Sequence, residues 1–219
     1  AVNMITMELG DAERIRPYVE LAEKLGYIHS QLIEGRIIEV SIDYTGDIIN
    51  YPTEMICIAL QKGLLQPFLG ETVNYVNASL ISKERGIRIM ETKSSEMSDF
   101  MNLISVTVKT DKGERRLAGT IFGTKEPRIV GIDKYHVDVL PSGCMLLLTT
   151  HKDKPGVMGA LCTILGEYNI NIAAMSLGRE VPGRDAIAIL NLDSPVPKDA
   201  MDKIKALDSI WEAKLVKLD

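Results

Sequence analysis

Cys144 to Arg179 reads CMLLLTTHKDKPGVMGALCTILGEYNINIAAMSLGR and decides the fold of this chain. Residues 144–150 are a short apolar run that predicts a buried strand, and residues 151–154 a turn. Pro155 is typical of the first residue of a helix, because its fixed φ suits that position. Asn169 marks the helix end, since Asn tolerates a left-handed backbone, and residues 170–177 predict a second strand. The apolar stripe of the helix comprises Val157, Leu161, Ile164, Leu165 and Tyr168.

The turn carries the candidate chemistry. Asp153 leads into a helix N-terminus, which opens at Pro155–Val157. The unpaired backbone N–H groups there, at Gly156 and Val157 after Pro155, attract a carboxylate. Asn171 begins the next strand and offers an amide to the same neighbourhood. Two interpretations stay open on these residues alone. In the first, Asp153 is only a helix cap and Asn171 a turn residue. In the second, the two together form a pocket for a small amino acid.

A family resemblance favours the pocket. The segments 151–157 (HKDKPGV) and 169–173 (NINIA) resemble the ACT domain, a βαββαβ module that binds amino-acid effectors between paired copies. Within that superfamily they are most similar to the ACT domain of the long-form D-3-phosphoglycerate dehydrogenase family. The resemblance implies L-serine as effector, held by His151, Asp153 and Asn171.

The remaining C-terminal sequence completes that pattern. Residues 181–184 predict a turn, residues 185–192 a strand, and a second helix is expected from Ser194 or Pro197, followed by a strand over residues 211–218. The cluster Pro141-Ser142-Gly143 is typical of a linker. We therefore expect two domains, residues 1–142 and 143–219.

The N-terminal part predicts helices followed by strands. The helices are expected from Asp11, as N-cap, to about Gly26, from Pro52 to about Gln61, and from Thr72 to Glu84. The strands are expected over residues 36–43, 87–91, 102–110, 114–122, 128–132 and 135–140. The segments 74–78, 84–87, 119–123 and 136–138 resemble the intervening domain of the same dehydrogenases, described there as an allosteric substrate-binding module. The predicted fold class is α+β, with two α/β sandwich domains, the second a ferredoxin-like βαββαβ ACT domain.

Composition and residue spacing exclude several function classes. A net charge of −5 argues against nucleic acid, which needs a basic face. The sequence lacks an apolar run long enough for a membrane span, and the cysteines and histidines lack metal-ligand spacing. We expect a cytoplasmic chain without metal, cofactor or catalytic residues of its own. Lys125, Arg128 and Lys134 form a candidate anion site around two predicted turns, although a solvated charged surface is the commoner explanation.

The resemblance implies a regulatory role. Without a GxGxxG turn the sequence lacks the dinucleotide fingerprint, and Ala1-Val2-Asn3 resembles the exit from the nucleotide-binding domain of the family. We therefore expect the catalytic domains to precede residue 1, with NAD the cofactor of the full-length parent, and the chain itself to be inactive and to self-associate through its ACT domains. The alternatives are the corresponding region of a bacterial L-serine dehydratase, with an iron–sulfur enzyme attached, and a stand-alone amino-acid-sensing ACT protein.

Overall fold

The computed structural model describes residues 9–96 and 99–218. The chain forms two compact units, Ala1–Arg128 and Ile129–Asp219. Both combine helices with sheet that is largely antiparallel, which confirms the α+β fold class. This division falls ahead of the expected domain boundary at 142/143, which stays a prediction. The segment Ala1–Asn3 lies outside the described residues.

The first unit pairs helices with a sheet in the strand order β2-β1-β3-β4. β1 and β2 run parallel, whereas β3 is antiparallel to both β1 and β4. The β3 bounds agree with the sequence prediction. The elements are α1 (Leu9–Leu32), β1 (Ile37–Gly46), α2 (Glu54–Leu69), α3 (Ala78–Glu84), β2 (Arg88–Ser94), β3 (Asn102–Thr110) and β4 (Gly113–Phe122).

The two long helices of this unit are longer than predicted. Asp11, the expected N-cap, is the third residue of α1, and Gly26 and Gly63 lie inside their helices. A Cβ on Gly26 would lie 2.2 Å from the Leu60 carbonyl oxygen, and one on Gly63 would lie 2.0 Å from that of Glu23. Both glycines therefore mark the crossing of α1 and α2, where the backbones touch, and neither ends a helix.

The second unit contains a hairpin and the ACT fold. The hairpin strands are β5 (Glu126–Ile132), whose first three residues are counted with the first unit, and β6 (Tyr135–Val139). The ACT elements are β7 (Met145–Lys152), α4 (Val157–Glu167), β8 (Ile172–Arg179), β9 (Asp185–Leu192), α5 (Lys198–Lys205) and β10 (Ile210–Lys217). The strand order is β10-β7-β9-β8, all antiparallel, as expected of a ferredoxin-like βαββαβ unit.

The core of the ACT fold lies between its sheet and its two helices. Leu147 of β7, Leu161 of α4, Leu190 of β9 and Ile204 of α5 are fully buried in one cluster. Burying such a side chain contributes roughly 1.5–3 kcal/mol. The helices therefore cover one face of the sheet. The β7–α4 loop and the β8–β9 hairpin, at the N-terminal end of α4, are attached to this packed core.

Two local predictions around α4 change in detail, and a third is confirmed. His151 and Lys152 continue β7 and do not belong to the turn, because they pair with Ala186 and Asp185 of β9. Pro155 precedes the helix, which begins at Val157 after the left-handed Gly156. Asn169 has the predicted left-handed backbone, with φ of 55°.

Candidate functional site

Asp153 joins the β7–α4 loop to the β8–β9 hairpin. Its Oδ2 accepts a hydrogen bond from the Gly183 N–H at 2.9 Å and another from Arg179 Nη1 at 3.0 Å. Its own N–H donates to the Arg184 carbonyl oxygen at 2.7 Å. The Asp153 side chain is 25% exposed. The carboxylate is therefore held in one position while remaining accessible to solvent.

The same contacts fix the charge of this carboxylate. The Gly183 N–H and then the Arg179 guanidinium lower the pKa of Asp153, because both interact with the ionised form. Asp153 is therefore an anion at neutral pH, and Arg179 is its counter-ion. A cationic group of a ligand would meet a carboxylate that already has one cationic neighbour.

A cavity of about 460 Å³ opens beside this pair. One wall comes from the β7–α4 loop and the first turn of α4, and the other from the hairpin that follows β8. The lining residues are Asp153, Lys154, Pro155, Gly156, Met158, Arg179, Pro182 and Gly183. Of the predicted site residues, Asp153, Pro155 and Gly156 line this cavity.

The N-terminus of α4 adds an anion-attracting group to this wall. Gly156, the N-cap residue, has φ of 92° and has no side chain with which to cap the helix. Its carbonyl oxygen accepts from the Ala160 N–H. The first-turn N–H groups from Val157 onward therefore have no side-chain partner, and the positive end of the helix dipole faces this region. The Val157 side chain itself is buried in the core.

His151, an expected contact of the effector, is a buried residue. It is only 4% exposed, and by alternation from Leu147 it lies on the helix-covered face of the sheet. Burial lowers the pKa of His151, an effect opposed by a backbone hydrogen bond at Thr149 and by Asp153. Its Nδ1 has no hydrogen-bond partner. His151 is therefore neutral at neutral pH and lies two residues from Asp153 along the chain, outside the cavity lining.

Asn171 lies at the opposite end of β8 from Arg179. Eight residues of extended chain separate the two, which corresponds to roughly 25 Å. The Asn171 amide donates to Asp193 Oδ2 at 2.6 Å, and the Asn171 carbonyl oxygen accepts from the Asp193 N–H. Asn171 and Asp153 of one copy therefore do not share a neighbourhood, contrary to the sequence-based interpretation. The reason is that α4 reverses the chain between them.

The structure adds five residues to the site: Lys154, Met158, Arg179, Pro182 and Gly183. The sequence contains a signal for the last three. In a βαββαβ sheet the hairpin between the second and third strands lies at the end where the first strand finishes, so the predicted turn at 181–184 belongs beside Asp153.

Comparison with known proteins identifies both parts of the chain. The profile of the D-3-phosphoglycerate dehydrogenase intervening domain matches residues 14–133, more than half of the chain, and the ACT domain profile matches residues 145–209. The chain belongs to the D-3-phosphoglycerate dehydrogenase family.

Relatives in this family align along the entire chain. The D-3-phosphoglycerate dehydrogenases of Methanocaldococcus jannaschii and Synechocystis are 37% and 38% identical to it, over 99% and 100% of its length. The enzyme of Archaeoglobus fulgidus is 38% identical over 100%. The chain spans only 41%, 39% and 41% of these three relatives, about two fifths of their length.

The candidate anion site of this dehydrogenase-family chain is already neutralised at two of its three members. Arg128 donates to Glu126 Oε1 through Nη2 at 2.6 Å and lies over the Phe122 ring. Lys134 is 3.1 Å from Glu180 Oε2, and this carboxylate raises the pKa of Lys134. Lys125 lies in the turn before β5. Carboxylates therefore already occupy positions that an anionic ligand would need at Arg128 and Lys134.

A second cavity, of about 550 Å³, lies in the intervening-domain unit between α2, α3 and β2. Cys57, Gln61 and Ser82 are buried lining residues, and Lys83, Arg88 and Glu91 add charges of both signs. Burial raises the pKa of Cys57 to about 12, so the thiol stays protonated. Glu91 accepts a hydrogen bond from the Tyr44 hydroxyl. This mixture of charges does not define one ligand class.

Across residues 9–96 and 99–218, no group of three or more His, Cys, Asp or Glu side chains is arranged to hold a metal ion. Within the part of the chain that the structure describes, no helix has both the length and the apolar character needed to cross a membrane.

Proposed function

We propose that this chain is the L-serine-sensing regulatory part of a D-3-phosphoglycerate dehydrogenase. In the complete enzyme, catalytic domains outside this chain would oxidise 3-phosphoglycerate with NAD at the entry to L-serine biosynthesis. The chain itself would act in the cytoplasm, without nucleic-acid or membrane partners, and would have no catalytic activity. The observation that carries the sensing role is the cavity beside the fixed, ionised Asp153 at the N-terminus of α4.

The effector would fit this cavity through its two charges. The ammonium of L-serine would bind the Asp153 carboxylate, whose low pKa keeps it charged. The carboxylate of L-serine would face the N–H groups that open α4 after Gly156. Charge-assisted hydrogen bonds of this kind are among the strongest that proteins form.

Asn171 would complete the site from a second copy. β8 is an edge strand of the sheet, and its Met175 and Leu177 side chains are 46% and 55% exposed. Pairing two β8 strands antiparallel about a two-fold axis would cover both edges. Such pairing sets the beginning of one β8 against the end of the other. Asn171 of one copy would then lie beside Asp153 and Arg179 of the other, which a single copy does not achieve.

This arrangement makes assembly part of the function. Light scattering at micromolar concentration should report a mass of at least two copies of the 24.2 kDa chain. A monomer under these conditions would contradict the shared pocket, because Asn171 would then be too far from the cavity to contact the same ligand.

Calorimetric titration with L-serine, D-serine and glycine tests the sensing role. Asp153→Ala and Asn171→Ala should each weaken L-serine binding roughly ten- to a hundredfold, as expected for loss of a hydrogen bond to a charged group. Cys162→Ala, on α4 but outside the cavity lining, is the matched control and should bind L-serine nearly as well as the wild type.

Two results would refute the assignment. One is a wild-type chain that binds none of the three ligands at millimolar concentration. The other is an Asp153→Ala variant that remains folded by circular dichroism and binds L-serine as tightly as the wild type.

A further inference from the structure

Arg179 ends β8 and lines the same cavity as Asp153. Its side chain is 58% exposed, and Nη1 makes its contact with Asp153 Oδ2 at 3.0 Å. A guanidinium carries five N–H donors in a planar fork. One donor direction is therefore occupied by Asp153, and further donors remain for a second acceptor at the cavity.

The Asp153–Arg179 pair has no net charge, but its two charged ends lie side by side on one cavity. A ligand with a single charge would be attracted by one end and repelled by the other. An α-amino acid carries its ammonium and its carboxylate on one carbon atom, so both charges can meet the pair at once. Ammonium beside carboxylate and carboxylate beside guanidinium give four charges of alternating sign, each next to its opposite.

The N-terminus of α4 supports the same orientation. Gly156 and Met158, from its first turn, line the cavity opposite Arg179. A ligand carboxylate would thus lie between a guanidinium fork and the positive end of a helix dipole. The ligand ammonium would lie on the Asp153 side, away from both positive groups.

We propose that Arg179 binds the carboxylate of the effector and thereby makes the site selective for zwitterionic α-amino acids. The inference rests on the proposed function, since it assumes that this cavity is the effector site. It goes further in naming the residue that distinguishes an amino acid from an amine of the same size. L-Serinamide, which has the ammonium and hydroxyl of L-serine but a neutral amide, is the matching probe.

Calorimetry of the intact chain with L-serine and L-serinamide tests the proposal. Wild type should bind L-serine roughly ten- to a hundredfold more tightly than L-serinamide, as expected for a hydrogen bond to a charged group. In Arg179→Ala the affinity for L-serine should fall about as much, while the affinity for L-serinamide, a cation that Arg179 repels, should not fall. The ratio of the two affinities should therefore fall roughly ten- to a hundredfold.

Two further variants sharpen the test. Arg179→Lys keeps the charge but lacks the planar fork, so it should retain part of the selectivity and also covers the case that Arg179→Ala does not fold. Arg184→Ala removes the same charge from the same hairpin, and Arg184 does not line the cavity. Its two affinities should equal those of the wild type.

The possible outcomes distinguish a failure of this inference from a failure of the proposed function. If Arg179→Ala weakens the binding of both ligands by the same factor, Arg179 only positions Asp153 and the proposal is wrong. If the wild type binds L-serine but the affinity ratio is unchanged in both Arg179 variants, the proposal is also wrong while the sensing role stands. If the wild type binds neither ligand, both the proposed function and this inference are wrong.

Discussion

Two glycines three residues apart should respond to alanine in opposite directions. Gly156 is the N-cap of α4, with φ of 92°, and Gly159 lies inside the helix. Apart from the chain neighbours and the backbone of the helix itself, a Cβ at either position would meet no heavy atom of the described residues within 4 Å. Packing therefore plays little part in either substitution, and the two differ in backbone conformation.

The magnitudes follow from that difference. A left-handed backbone costs a residue with a Cβ about 1–2 kcal/mol, and alanine recovers about 0.4–1 kcal/mol by restricting the unfolded chain. Gly156→Ala should therefore lower the free energy of unfolding by about 1 kcal/mol. Gly159→Ala should raise it by about 0.8–1.0 kcal/mol, the difference in helix propensity. The two variants should differ by about 2 kcal/mol.

Urea unfolding followed by tryptophan fluorescence measures both changes in the relevant unit. Trp211 is the only tryptophan of the chain and lies on β10, beside β7. Equal midpoints for the two variants, or a Gly156→Ala variant more stable than wild type, would contradict the left-handed N-cap. They would also remove the structural basis for the open helix N-terminus in the cavity.

Two other substitutions and one labelling experiment test separate parts of the structure. Gly63→Ala should lower the thermal midpoint measured by far-UV circular dichroism, because its Cβ would lie 2.0 Å from the Glu23 carbonyl oxygen. Overpacking of this kind costs about 1–3 kcal/mol. An unchanged midpoint would contradict the close crossing of α1 and α2. Cys57 should react with iodoacetamide at pH 8 only after denaturation, because burial raises the pKa of its thiol to about 12; rapid labelling of the folded chain at Cys57 would contradict its burial. Because folding lowers the pKa of Asp153, its charge stabilises the folded chain at pH values above the usual carboxyl pKa. The stability advantage of wild type over Asp153→Asn should therefore shrink as the pH falls below about 4. An advantage that grows on acidification would contradict the lowered pKa.

Sequence reasoning succeeded where the pattern and the turns agree. The runs over residues 102–110 and 185–192 are strands with those bounds, because each lies between clear turns. The first buries alternate side chains, whereas the second is buried on both faces from Ala186 to Leu192. The lengths of the helices are harder to predict from the sequence. The sequence predicts helix ends at about Gly26 and at about Gln61, just before Gly63, whereas each of these glycines allows α1 and α2 to approach closely. A sequence does not distinguish a glycine that ends a helix from one that faces a neighbouring helix.

The site was predictable only where it is local in sequence. Asp153, Pro155 and Gly156 follow one another and line one cavity. Asn171 was placed beside them because it follows the same helix, but α4 carries the chain to the other end of the sheet. Arg179 was missed because its contact with Asp153 depends on the pairing of β8, β9 and β7. The burial of His151 likewise follows from tertiary packing on the helix-covered face.

NMR chemical-shift mapping of the ¹⁵N-labelled chain during titration with L-serine tests the central claim most directly. The account predicts saturable shifts at the backbone amides of residues 153–158 and 179–184, except for Pro155 and Pro182, which have none, with further shifts at Asn171 when the copies are paired. Shifts confined to the Cys57 and Ser82 cavity of the other unit, or none at millimolar L-serine, would contradict it.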